Sequence, residues 1–488
     1  MENKYTPERR ELLLAGGMVL CGFLFWEGGL ISPDAAVGKF VFTIVLCVVS
    51  GSYLWLAGYK QDKTSIAVLA CMVLLGGALL NNAGRMEHAL TQHALAALYL
   101  YWVAKTTANS LDDKLSMYAL GDLVKQGLAV PFSNYGVGPL TLARSTKGRS
   151  GRNIFWVCLG IALAIPFMTA AFMLLSEADS SFKILAKNIA ENISWRWVEY
   201  IVEIIVGLPI AFYLVGLVYG DARGDRVERF SKESISKTAS AMAIFPSLIG
   251  ATMMTCLNLI YIIFLGLQVS HLMQGLPRGM SYSVFARQGF FQLCTVAVIN
   301  LAIVIAGEIF HKRGGRAARL IKIQMGLMSA LTIGLSCTAL TKMGMYINVY
   351  GLTHKRIYTS FFMVFLIVVF LTIALAQFTK INAGKIIAIA GLVLLLIFNY
   401  ACIDRTIARY NIDCYEKGTL PMMDSNLLYA LDDGAVPELY RLWEKTGDKT
   451  IAEILKGMPA NDSWACLSRE RIAANRIRKE LYLKTKFD

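Results

Sequence analysis

The sequence predicts an all-α polytopic transmembrane helix bundle of about eleven spans with a small C-terminal helical tail. The count follows because a ~30 Å hydrocarbon core takes about 20 apolar residues per helix. Three observations carry this expectation. The 488 residues are 56% hydrophobic, concentrated in long runs. Only 17% are charged, against about 25% in a soluble chain, and most charges lie outside those runs. The Lys and Arg residues before, between and at the edges of the runs, counted on alternate sides, divide 24 to 10. Runs such as 361–378 and 386–398 show none of the apolar–polar alternation of a barrel strand.

The spans fall near 11–31, 37–58, 64–82, 88–106, 153–175, 197–219, 247–269, 288–310, 321–341, 358–379 and 383–403. The fourth is the weakest, since it carries His88, Gln92 and His93. Basic residues accumulate in short cytoplasmic loops. The bias therefore places the N-terminus and the loops after the even-numbered spans inside. An odd number of spans puts the tail outside. The N-terminal Lys4, Arg9 and Arg10 followed by an apolar run read as an uncleaved signal anchor.

Four regions result: a four-span region at 1–106, a cytoplasmic basic loop at 107–152, a seven-span region at 153–403 and an extracytoplasmic polar tail at 404–488. In the loop, Leu111 to Leu128 has helix-like apolar spacing, predicting an interfacial helix. Pro131, Gly136, Gly138 and Pro139 are expected to break it. A second amphipathic stretch is Phe182 to Ile193. The tail holds 14 basic and 14 acidic residues and reads as short helices. Pro437, after Asp432 and Asp433, suits a first helical turn. The net charge of +14 comes from basic loops. Such loops face anionic lipid, so membrane lipid is an expected partner and nucleic acid is not.

An ionisable side chain in hydrocarbon costs about 2.5–3.5 kcal/mol on insertion scales and is a functional candidate by default. Glu27, Glu199, Glu203, Arg287, Arg356 and Asp404 all fall at the outer ends of their spans. They form a candidate polar site beneath the tail, with Glu203 paired to Arg287. The competing reading has each charge snorkelling separately to the interface. Asn258, Gln292 and Asn300 suit hydrogen bonds between helices. Gly207-Leu208-Pro209 marks a kink. Cys414 and Cys466 lie in the polar tail, where an oxidising space leaves a disulfide open. No metal-ligand spacing, phosphate loop or nucleophile motif occurs, so no cofactor is expected.

Two segments carry a family resemblance. Phe285 to Leu293, with Asn300 beyond it, resembles an Ala-Arg-Glu-Gly-Phe-Phe-x-Leu signature. Met343 to Tyr358, containing Tyr346 and Tyr350-Gly351-Leu352-Thr353-x-x-Arg356, resembles a second. The sequence around Asn411 and from Asp424 to Pro437 is similar to a C-terminal region. These belong to a bacterial polytopic membrane family, domain of unknown function four-one-seven-three, and its near relative four-one-five-three. Gln288 stands in place of the usual Glu, and Lys342 in place of Arg. The resemblance implies a bacterial cytoplasmic-membrane protein of about this topology and no activity. Two functions remain: transport of a small solute or lipid-linked substrate through the charged outer site, or a non-catalytic envelope scaffold or sensor subunit meeting a protein partner through its tail. A membrane enzyme ranks below both.

Overall fold

The computed structural model describes residues 7–487 except 29, 31, 33, 82–83, 111–118, 146–152, most of 154–169, 180–182, 184–194, 225–246, 275–289, 311–314, 421–424 and 459–462. The described residues form helices and no strand. The first are α1 (Arg9–Glu27), α2 (Ala36–Leu56), α3 (Lys63–Leu79) and α4 (Arg85–Thr106). Short helices α5 (Ala119–Val124), α6 (Val130–Ser133) and α7 (Val137–Ser145) follow. Then come α8 (Trp195–Arg223), α9 (Ser247–Gln274), α10 (Phe290–Phe310), α11 (Gly315–Tyr350), α12 (His354–Phe378) and α13 (Ala383–Tyr400). The tail contributes α14 (Ile403–Glu416), α15 (Ser425–Tyr429), α16 (Val436–Thr446), α17 (Lys449–Gly457) and α18 (Arg469–Phe487). Among the described residues, 6 helices are long and apolar enough to cross a membrane: α2, α9, α12, α13 and the apolar stretches of α8 and α11. The expected span at 153–175 lies about half outside the described residues, and the stretch Phe182 to Ile193 almost wholly so.

Lipid is as apolar as leucine, so packing between such helices rests on close contact and interhelical hydrogen bonds. Helices α1–α4 and α8 share one core around Leu14, Met18, Met72, Trp102, Leu217 and Val218. There α1 and α8 approach closely: a Cβ on Gly207 would lie 2.8 Å from the Gly22 carbonyl oxygen. Helices α9–α12 share a second core, with Phe290, Leu335, Met363 and Phe370 on one side and Met254, Met325 and Met328 on the other. Asn258 donates to Gln324 Oε1 at 2.7 Å, and Asn300 bridges Tyr261 and Thr332 at 2.8 Å each. Gln292, assigned the same role from sequence, is exposed. Helix α13 packs on α12 and also on α3 and α4, tying the two bodies together.

The helix ends sort onto two polar faces. On one, Arg471 meets Asp34 between α1 and α2, the Arg469 amide donates to the Leu80 carbonyl between α3 and α4, and Asp404 meets His354 between α11 and α12. On the other, the end of α8 receives Tyr59 from the α2–α3 loop, Glu11 from α1 and Asn109 from beyond α4. Helix α4 therefore runs from one face to the other despite its weak hydropathy.

Two local expectations change. Helix does not break at Pro131: α5 continues through a π-helical stretch, Lys125–Ala129, into α6. Pro131 sits near the start of α6, and the wider turn absorbs the donor that proline lacks. The chain turns instead at 134–136, and Gly138 and Pro139 open α7. Helix α11 also continues to Tyr350, well past 341, because its last carbonyls find a partner on α12, described below.

The tail has its own core of Ile407, Ile412, Leu431, Leu439, Leu442 and Ile454, completed by Phe398, Tyr358 and Phe361 from the ends of α12 and α13. It is built onto the membrane helices. Pro437 lies in the first turn of α16, as its position after Asp433 implies.

Candidate functional site

The turn from α11 to α12 organises the site. Gly351 adopts φ +74°, the left-handed region open to glycine. Arg356 reaches back from α12, donating to the Tyr350 carbonyl at 2.8 Å and to the Gly351 carbonyl. Its guanidinium lies over the Tyr346 ring, 4.2 Å from the centroid. Asn411 on α14 clasps the same turn, accepting from the Leu352 amide at 2.8 Å and donating to the Leu352 carbonyl at 2.9 Å. The signature residues thus fix how α12 starts.

His354 is the first residue of α12, and its Nε2 donates to Asp404 Oδ1 at 2.7 Å. Asp404 is buried in the first turn of α14, where the helix dipole favours a carboxylate. Cys402, at φ +45°, supplies the sharp corner between α13 and α14. Asp404 Oδ1 also accepts from the Asp432 amide at 3.3 Å. From α4 comes Glu87, 2% exposed. Tyr358 donates to its Oε1 at 3.5 Å, while Oε2 has no hydrogen-bond partner. Glu87, Asp404 and Asp432 therefore crowd around one histidine. Burial, reinforced by Asp404 and opposed by Arg85, pushes the Asp432 carboxyl up to about 6.

A second network adjoins the first. Arg471 of α18, 6% exposed, donates to Asp433 Oδ2 at 2.6 Å, to Asp34 Oδ2 at 2.8 Å and to the Cys466 carbonyl at 3.3 Å. Arg478 donates to Asp433 Oδ1 at 2.6 Å. Burial alone would raise Asp34, but the Ser32 hydroxyl and Arg471 hold it below the usual carboxylate range. Two aspartates and two arginines balance here, whereas the His354 cluster carries an acidic excess. Among the described residues no group of three His, Cys, Asp or Glu side chains is arranged to hold a metal ion.

The sequence candidates distribute as follows. Asp404 lies at the centre of the cluster. Arg356 locks the adjacent turn and does not face the carboxylates. Glu203 is buried on α8, within electrostatic reach of Glu27, while Glu27 and Glu199 are exposed. Arg287, and with it the expected Glu203 pair, lies outside the described residues. Cys414 and Cys466 are not joined in a disulfide, and Cys466 is buried against Ala35. Sequence reading missed His354, Glu87, Asp432, Asp433, Asp34 and Arg471.

Residues 43–442 match the family profile described as Domain of unknown function (DUF4153). The chain belongs to the DUF4153 family. Both signature segments and the Asn411 clasp fall within the matched region. No curated protein and no solved structure matches the chain. For this DUF4153 protein the shared segments therefore speak through geometry: they position His354 against Asp404.

Proposed function

We propose that this DUF4153 chain is a proton-linked membrane transporter of a small solute or lipid-linked substrate. In this reading the Glu87–His354–Asp404–Asp432 cluster takes up and releases the coupling proton. One observation carries it. Glu87 is a fully buried carboxylate at the junction of both helical bodies and the tail, with one oxygen unpartnered. A carboxylate so placed costs several kcal/mol to ionise, and a functional proton site is the default reason to keep one in a membrane. The 24-to-10 bias of Lys and Arg supports a cytoplasmic N-terminus. The tail shares its face with loops poor in those residues, which supports an extracytoplasmic C-terminus.

The test uses the full chain in liposomes. Infrared difference spectra across a pH titration should contain a protonated-carboxyl band that Glu87→Gln removes. The same variant should accumulate normally and lose uptake driven by a pH gradient when pools of amino acids, sugars and organic anions are offered. A spectrum with no titrating band from Glu87 overturns the reading. A scaffold acting through its tail is the competing function, favoured by the folded, partly exposed tail module. It predicts that Glu87→Gln is silent while truncation at residue 403 is not.

A further inference from the structure

Helix α18 has two faces, and the fold covers only one of them. At 100° per residue, positions 471, 474, 478 and 481 share a sector of about 80°. Arg471, Ala474 and Leu481 are buried there, and Arg471 and Arg478 are taken up by Asp34 and Asp433. Positions 469, 472, 476 and 479 share a second sector of about 80°, roughly opposite. Arg469, Ile472, Arg476 and Lys479 are all exposed, Ile472 at 59%. Among the described residues no ion pair involves Arg469, Arg476 or Lys479. Glu480, at the edge of this face, accepts from Tyr440 at 3.2 Å. Three cations thus stand against one carboxylate, with an uncovered isoleucine among them.

The same segment begins across the ends of two apolar helices. The short 3-10 turn Trp464–Cys466 packs on α2, with Cys466 against Ala35 at the head of that helix. The Arg469 amide donates at 2.8 Å to the carbonyl of Leu80, the residue after α3. Trp464 is 45% exposed at this level. Val48 on α2 and Ile66, Val73 and Leu74 on α3 are exposed as well, an apolar side of the kind that membrane helices turn to lipid. Tryptophan is enriched where a membrane helix meets water. Cations interleaved with apolar side chains on one helical face suit a segment lying among headgroups. The charge alone would suit an acidic protein equally. The placement of Trp464 and Arg469 at the ends of α2 and α3 favours lipid.

We propose that the exposed face of α18, together with Trp464, binds anionic phospholipid headgroups in the leaflet on the tail's side. Arg469, Arg476 and Lys479 meet the lipid phosphates, while Trp464 and Ile472 enter the boundary between headgroups and acyl chains. One helix then serves two attachments: its covered face holds the tail to the loops through Arg471 and Arg478, and its open face holds the tail to the bilayer. This surface is independent of the proton-linked reading above. Each cation near an anionic surface contributes about a fivefold preference at physiological salt.

The test uses full-length protein in nanodiscs of mixed phosphatidylglycerol and phosphatidylcholine, with bromine on the acyl chains of one lipid at a time. The Trp464 share of the fluorescence is the wild-type emission minus that of Trp464→Phe. Brominated phosphatidylglycerol should quench this share at least about fivefold more effectively than brominated phosphatidylcholine, the contribution of one cation. The triple change Arg469→Gln, Arg476→Gln and Lys479→Gln should bring the two lipids to parity. Salt at about 1 M, where the screening length falls to about 3 Å, should do the same to the wild-type protein, so the outcome does not depend on a variant that folds. Equal quenching by the two lipids in wild type at low salt overturns the proposal, as does a preference that survives both the triple change and salt. A Trp464 share quenched by neither lipid turns this face toward water or a protein partner and overturns it too.

Discussion

Arg471→Ala should release the tail from the membrane helices. The side chain is buried and serves Asp433 and Asp34 at once, at 2.6 and 2.8 Å. Breaking a buried ion pair from one side costs about 3–5 kcal/mol, because the stranded charge keeps its desolvation penalty. Asp433 retains Arg478, and Asp34 is about a fifth exposed, with a side-chain relative area of 21%. The lower end of that range, about 3 kcal/mol, therefore applies, or a rise of roughly a hundredfold in the undocked population. Cys466 reports it directly: it is a thiol outside any disulfide, 5% exposed, packed where the tail meets Ala35. Its rate of maleimide labelling in intact membranes should rise about a hundredfold when labelling follows transient undocking. Cys414, on α14 away from this contact, should label at its wild-type rate. Arg471→Lys should fall between, since a point charge replaces only part of a two-carboxylate fork. Cys466 labelling within twofold of wild type in Arg471→Ala would mean that this network does not hold the tail.

Tail docking should also depend on pH. The Asp432 carboxyl is raised from 3.8 to about 6 in the docked state. That state therefore binds the extra proton between those values, and docking weakens as pH climbs from about 4 to about 6; Asp432→Asn should remove this slope from Cys466 labelling. Asp34 is lowered on docking, so below about pH 4 its contribution is lost and labelling should rise again. Asn411→Ala strips both partners from Leu352 and should lower thermal stability by about 2–3 kcal/mol, two backbone groups each losing a buried bond; an unchanged melting temperature would refute the clasp. A phosphatase fused after Asp488 should be active and a fluorescent reporter at the same place dark; the reverse pattern removes the extracytoplasmic tail.

The helical spans were legible because hydropathy and length depend only on composition along the chain. Charge, which also acts through neighbours in sequence, carries only the expectation of which side each helix end faces. The site was harder. Asp404 could be found as a charge at the end of a span, and Arg356 was found for the same reason, yet one faces the cluster and the other braces a turn. Nothing in spacing separates these roles: Arg356 is committed by the carbonyls that α11 exposes where Gly351 turns left-handed. His354 stood inside a quoted signature and Glu87 one residue before the weakest span. Their partners lie 50 and 271 residues away, and no local pattern encodes such a contact. Arg471 looked like part of a solvated basic run, because burial on one helical face appears only once Asp433 and Asp34 close over it.

Asp432 and Asp433 are adjacent residues serving different networks. Asp433 is held between Arg471 and Arg478, in a balanced set that fixes the tail. Asp432 lends its amide to Asp404 and places its carboxyl among the crowded acids around His354. A backbone shift at this pair cannot move one without the other, since Asp433 itself opens the short 3-10 turn Asp433–Ala435 leading into α16. Protonation and docking of the tail are linked through Asp432, whose carboxyl is raised in the docked state: docking changes its proton affinity by the factor by which the bound proton changes docking. Arg471→Ala, which shifts docking without touching Asp432, should therefore also move the pH at which the Asp432 carboxyl band titrates. A band that titrates at the wild-type pH in that variant would separate the tail from the proton site.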